Sequence, residues 1–306
     1  MPKPVSAQVV VVAGASTGIG RATALAFAAR GARVVCAARG TTALDTLVAE
    51  IRERGGTAVA VPADVADAAA VRSLAELAER QFGRIDTWVN VAAVGIWGRV
   101  EDISAAEFER VMRVNFLGHV HGVHAALPAL RRAGGGVIIG VSSGEGKRAV
   151  PLSGPYVASK FALQGLYDTL RMELAQEGAP IAVTTILPAS VDTPFFEHAR
   201  SKLGVLVKPP PPVYAPEVSP PASCSRPAVP GARSRSAARR QPSCWVSASR
   251  RRCSTPRCPS GGSGSACNAR TVRTPVRTTW TTRCPILGAF TAPTPAGCCG
   301  TPCSPG

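Results

Sequence analysis

Two absences divide this 306-residue chain. Beyond residue 218 there is no aspartate, glutamate, lysine or histidine, and before residue 219 there is a single cysteine, Cys36. The formal net charge of +16 is therefore unevenly held. Residues 1–218 carry 22 Lys and Arg against all 19 acids, whereas residues 219–306 carry 13 Arg, nine of the ten cysteines and 13 of the 27 prolines. The total would suggest a nucleic-acid or anionic-surface binder, but the division confines that reading to the tail. No apolar run approaches the ~18 residues of a membrane span. Nor does a basic-then-apolar leader precede the strand-like Val9–Val12. The expectation is a cytoplasmic protein with no membrane partner, in which Cys36 is a small buried hydrophobe in a reducing compartment.

Within residues 1–218, apolar runs of strand length alternate with amphipathic helical stretches. Strands are expected at Gln8–Ala13, Arg33–Ala38, Thr57–Pro62, Thr87–Asn90, Gly136–Val141 and Ile181–Leu187. Helices are expected at Ile19–Arg30, Thr42–Arg54, Ala68–Phe82, Ala105–Leu130 and Tyr156–Gln176. Asp67 and Ser104 are N-cap candidates, and Gly31, Gly55 and Gly83 stand where helices would stop. The alternation predicts an α/β domain with a doubly wound parallel sheet, a Rossmann fold that binds ligand at the carboxyl ends of its strands.

A glycine-rich turn, Gly14-Ala15-Ser16-Thr17-Gly18-Ile19-Gly20, follows the first strand and opens the first helix. In that position glycine permits a tight turn and lets a pyrophosphate approach the helix N-terminus, where free N–H groups and the positive dipole end face it. The second strand ends in Ala37-Ala38-Arg39, without the acid that would take the ribose hydroxyls of NAD. Arg39 can instead meet a 2′-phosphate, so NADP is favoured over NAD. Further on, Tyr156 and Lys160 lie four apart and share a helix face. A nearby ammonium would favour the phenolate and lower the phenol's pKa from ~10. Alone, such a pair is more often a packed aromatic beside a solvated lysine.

Together the turn Gly14–Gly20 and the step Tyr156-Val-Ala-Ser-Lys160 resemble the short-chain dehydrogenase/reductase family over residues 1–218. The resemblance implies a catalytic set of Asn115, Ser143, Tyr156 and Lys160, with Ser143 chosen over Ser142 because the family's serine lies thirteen residues before its tyrosine. It implies cofactor contacts from Gly14, Ser16, Thr17, Gly18, Ile19, Gly20, Arg39, Asp64, Val65, Asn90, Tyr156, Lys160, Pro188 and Thr193. The chain departs from the family pattern at Ala13, Val91, Ala93 and Ala189. The activity implied is hydride transfer between NADPH and a carbonyl or secondary alcohol, by a homodimer or homotetramer. Val94, Ile96, Trp97, Val150, Leu152, Phe195 and Phe196 suggest an apolar pocket for a lipophilic substrate. The alternatives are a non-catalytic dinucleotide-binding protein and, through the tail, a nucleic-acid binder. No metal is expected, because His119 points away from His121 and His124 on a helix and no acid or cysteine is near in sequence.

Residues 219–306 have neither helical nor strand periodicity. Read literally they form a disordered basic segment, and their cysteines lack the paired short spacings of a zinc site. A slipped reading frame accounts for them better. Codons for Ser (TCN), Cys and Trp begin with T, and a T shifted to second position encodes an apolar residue. Ser219, Ser223, Cys224 and Ser225 then mark a helical apolar spacing, and Ser234 and Ser236 a strand's alternation. The expectation is a frame slip near residues 205–218, with the missing helix and last strand of the fold encoded beyond it.

Overall fold

The computed structural model describes residues 3–218. The tail beyond residue 218, with its expected disorder or frame slip, lies outside them. The described chain forms a six-stranded sheet with every pairing parallel. Its strands are β1 (Val9–Ala13), β2 (Arg33–Ala38), β3 (Thr57–Pro62), β4 (Thr87–Asn90), β6 (Gly136–Val141) and β7 (Ile181–Ile186), in the order β3-β2-β1-β4-β6-β7. A two-residue strand β5 (Ile96–Trp97) pairs separately with β8 (Arg200–Ser201). The helices are α1 (Gly18–Ala28), α2 (Thr41–Glu53), α3 (Ala68–Phe82), α4 (Ala105–Met112), α5 (Gly118–Arg132), α6 (Gly154–Gln176) and the single turn α7 (Phe195–His198). This is the doubly wound fold that the alternation predicts.

Period-two alternation splits the strands between two cores. Val11, Ala13, Val35, Trp88 and Ile138 face α3, α5 and α6. Val10, Val12, Val34, Val89 and Ile139 face α1 and α2, joined by Leu44, Leu47 and Ile51 at helical spacing on α2. Each buried Val, Leu or Ile among these contributes about 1.5–3 kcal/mol. Cys36 is in the second core, fully buried, and burial pushes its thiol up to about 12. It packs as a hydrophobe and is not a nucleophile.

Local chemistry sets the helix ends. Asp67 accepts from the N–H groups of Ala69 and Ala70 at the start of α3. Ser104 and Glu107 form a reciprocal capping box on α4. Gly83 closes α3 in the left-handed region, at φ 80°.

One helical stretch of the sequence divides in two. The stretch Ala105–Leu130 is interrupted: between α4 and α5, residues Arg113–Leu117 form a π turn around Asn115. Such a turn takes in an extra residue, and it falls where the family resemblance implies, since Asn115 matches that family's helix-interrupting asparagine.

Candidate active site

The strand order reverses between β1 and β4, where Ala13 and Asn90 are paired at the carboxyl ends. The glycine turn leaves β1 at this point. Gly14 adopts φ +106°, and a Cβ there would meet Ala92 N at 2.5 Å. Gly18 adopts φ +50°, and a Cβ there would meet Thr193 Cγ2 at 2.8 Å. Gly20 backs onto the Gly14 carbonyl. The predicted Thr193 is thus brought onto the glycine turn from 175 residues away in sequence. Thr17 is the exposed N-cap of α1 and makes no side-chain cap bond, while Ser16 and Ile19 flank it half-buried. The three glycines allow this close packing of the turn, and the helix N–H groups that Thr17 leaves uncapped at the start of α1 fit a dinucleotide pyrophosphate.

The other predicted cofactor residues fall around the same edge with different commitments. Arg39 stands exposed just beyond β2, and among the described residues it has no ion-pair partner. Asp64 follows β3, and its Oδ1 accepts from Ala66 N over 2.9 Å. Val65 is buried against Gly118. The Asn90 carboxamide points into the core: Trp88 Nε1 donates to its Oδ1 over 2.8 Å, and its Nδ2 donates to Tyr167 Oη over 3.1 Å. With both ends engaged, only its backbone can serve a cofactor. Pro188 is buried, and its carbonyl accepts from Gly144 N over 3.0 Å, tying the segment after β7 to the turn after Ser143.

Ser143, Tyr156 and Lys160 converge, and Asn115 is joined to them through Ser159. Lys160 is buried, and its Nζ donates to the Val141 carbonyl over 3.0 Å and lies 5.3 Å from the centroid of the Tyr156 ring. The Ser143 hydroxyl acts on the Tyr156 phenol, favouring its ionised form, and accepts from Glu145 N over 3.1 Å. Ser142 is turned inward, donating to the Lys160 carbonyl and accepting from Gln164 Nε2. Asn115 is fully buried. Its Oδ1 accepts from Val94 N over 2.8 Å, and its Nδ2 donates to Val94 O at 2.9 Å and Ser159 Oγ at 3.1 Å. Ser159 donates to the Tyr156 carbonyl over 2.7 Å, so Asn115 links the loop before β5 to the turn of α6 that carries the phenol.

The electrostatics correct one expectation. The Tyr156 pKa is raised, first by burial and then by the Glu145 carboxylate, and the Ser143 hydrogen bond only partly opposes this. The Lys160 amine is itself pushed down to about 7 by desolvation, partly offset by Glu145. Burial that brings the two groups together therefore works against the charged form of each. Glu145 was not anticipated. It lies two residues beyond Ser143, and that closeness is its one mark in the sequence.

Aromatic rings cover the phenol. Phe195 lies 5.2 Å from the Tyr156 ring and 5.4 Å from Phe196, which stacks at 6.1 Å on Trp97. Ile96 belongs instead to a small core with Ile103 and Val111, and Val150 and Leu152 are exposed. Of the histidines, His119 is buried with Nδ1 2.8 Å from Tyr167 Oη, His121 Nδ1 lies 2.9 Å from the Val65 carbonyl, and His124 is exposed. No cluster of three metal-ligating residues occurs among the described residues.

A dinucleotide-type glycine turn beside a Ser-Tyr-Lys cluster defines a nicotinamide-dependent class of oxidoreductase. The match to the short chain dehydrogenase model over residues 8–204 specifies the class: this chain belongs to that family of NAD(P)-dependent dehydrogenases and reductases. It is 44% identical over 202 residues to the uncharacterized oxidoreductase YxnA of Bacillus subtilis, covering 66% of this chain but only 57% of that protein. Among solved structures it is similar to a short-chain dehydrogenase/reductase from Burkholderia phymatum in complex with NAD. That match has a TM-score of 0.61 and 33% identity, and covers 62% of this chain and 68% of the other. It is also similar to a 7α-hydroxysteroid dehydrogenase complexed with NADH and 7-oxo glycochenodeoxycholic acid, with a TM-score of 0.59 and 28% identity. Here 62% of this chain and 73% of the other are covered.

Proposed function

We propose that the chain reduces a lipophilic ketone, or oxidises the corresponding secondary alcohol, with NADP as its cofactor and Tyr156 as acid–base. The observation that carries this reading is the convergence of Ser143, Tyr156 and Lys160 beside a glycine turn that Thr193 closes. When bound, the reduced nicotinamide supplies the hydride. Ser143 holds the substrate oxygen as a hydrogen-bond donor. Tyr156 gives its phenolic proton to that oxygen. Lys160, beneath the phenol, orients the cofactor ribose and replenishes the proton.

Preference for NADP rests on Arg39, an exposed cation where the second strand ends without an acid. The NAD and NADH complexes of the two solved relatives belong to those proteins, and the balance in this chain is set by its own Arg39. A lipophilic substrate is supported by Trp97, Phe195 and Phe196 around the phenol and by the 7-oxo bile acid bound to a solved relative. Phe161 and Met172 are exposed eleven residues apart on one stripe of α6, which supports a homodimer or homotetramer. Among the described residues no helix is long and apolar enough to cross a membrane. Placement in the cytoplasm is supported by the near-balanced charge before residue 219 and by the buried thiol of Cys36.

The experiment is NADPH consumption with a panel of steroidal, aryl and long-chain ketones. Turnover of at least one, abolished in Tyr156→Phe, supports the reading. Tight NADPH binding without turnover of any would favour the non-catalytic alternative.

A further inference from the structure

Glu145 lies two residues beyond Ser143, in the turn Gly144–Gly146 packed on α6. It is tied at both ends. Its backbone N–H donates to Ser143 Oγ over 3.1 Å, and its carboxylate accepts from the Ser153 hydroxyl over 2.9 Å. Ser153 is fully buried and immediately precedes α6, the helix of Tyr156 and Lys160. The carboxylate thus spans from the serine that faces substrate to the helix that carries the acid–base pair, and its charge acts on both members of that pair.

Burial raises the pKa of Glu145 itself, and the Ser153 hydrogen bond and then Lys160 work the other way to hold its charge. His119 faces Lys160 from α5 and is held neutral by its burial. From β6, the Val141 carbonyl accepts from Lys160, and just beyond that strand the Ser143 hydroxyl acts on the phenol. Among the described residues, Glu145 is the one acid whose charge is felt at Tyr156 and Lys160.

We propose that Glu145 is a positioning residue that keeps the proton on Tyr156 and Lys160, and so biases the site towards carbonyl reduction over alcohol oxidation. An anion favours an ammonium and disfavours a phenolate. In reduction the carbonyl π bond breaks, carbon takes a hydride from the reduced nicotinamide, oxygen takes the phenolic proton, and solvent restores that proton. The reverse direction needs the phenolate, because the alcohol proton must be accepted as hydride returns to the oxidised nicotinamide. A fixed carboxylate therefore stabilises the starting protonation state of one direction only. The proposal rests on the reading of Tyr156 as the acid.

The test begins without substrate. The full chain, labelled with [ε-13C]lysine, is titrated by NMR, its five lysines being few enough to resolve. The Lys160 resonance is assigned by its loss in Lys160→Met. In Glu145→Gln, which retains an acceptor for Ser153, the Lys160 midpoint is expected to fall by about one pH unit while the other lysines keep theirs. The same variant is expected to move the acid limb of alcohol oxidation to lower pH by about one unit, on whichever ketone and alcohol pair the panel identifies. An unchanged Lys160 midpoint overturns the proposal, as does a shifted midpoint with an unshifted oxidation profile. A shifted midpoint in a chain that turns over no ketone overturns the assignment of Tyr156 as acid, separately from the electrostatics.

Discussion

Lys160 Nζ lies 5.3 Å from the centroid of the Tyr156 ring while donating to the Val141 carbonyl over 3.0 Å. The lysine is held from below by the sheet, so removing the phenolic oxygen does not release it. Tyr156→Phe is accordingly expected to bind NADPH with unchanged affinity and to lose roughly 10²–10⁴-fold in turnover, the range of a lost general acid. Fluorescence titration and a rate assay on the same preparation check both halves.

Arg39 makes a different demand. A guanidinium that meets only the 2′-phosphate should matter to one cofactor and not the other. Arg39→Ala is expected to weaken NADPH by about 1.5–3 kcal/mol, on the order of ten- to a hundred-fold in Kd. NADH should be unaffected. Equal loss for both cofactors in calorimetric titrations would remove Arg39 from the phosphate site.

His119 is buried neutral, its pKa lowered well below 6.5 by desolvation and then by Lys160. The unfolded chain binds a proton there below pH 6.5 that the folded chain refuses. Folded-state stability is therefore lost as pH falls below 6.5, by about 1.4 kcal/mol per pH unit from this residue. Urea unfolding at pH 5 and pH 7 should show that slope reduced in His119→Phe.

Tyr167 joins two buried partners, accepting from Asn90 Nδ2 at 3.1 Å and meeting His119 Nδ1 at 2.8 Å. Tyr167→Phe leaves both short of a partner in the core, at a cost of roughly 2–4 kcal/mol. Urea unfolding at neutral pH measures it, and a loss below half a kcal/mol would mean that the chain Trp88–Asn90–Tyr167–His119 carries little of the fold's stability.

Sequencing the gene across codons 200–230 is expected to reveal one missing or extra base. An intact frame would leave the arginine-rich segment as genuine protein, and its nucleic-acid binding could then be tested by salt dependence with and without it.

The fold was legible because its signals are periodic and local. Alternating apolar strands, α2's Leu44 and Leu47, the caps Asp67 and Ser104 and the stop at Gly83 each declare themselves within a few residues. The core of the site was legible through spacing, from Gly14 to Gly20 and from Ser143 to Tyr156 to Lys160. What escaped depends on the third dimension. The inward turn of the Asn90 carboxamide requires Tyr167, 77 positions away. The sign of the Tyr156 shift escaped for the same reason. A lysine four residues off is visible in sequence, but burial of both groups and a carboxylate arriving from another turn are not.

Phe195 resting on Tyr156, with Phe196 stacked on Trp97, has a thermodynamic consequence for any molecule that reaches the phenol. Such a ligand exchanges one aromatic surface for another and desolvates little new protein. Its negative heat-capacity change on binding should be smaller than its own apolar area would give, and its shape will count for more than its greasiness. Flat, rigid ring systems can replace what Phe195 provides, whereas flexible chains of equal hydrophobic area must also give up their conformational freedom.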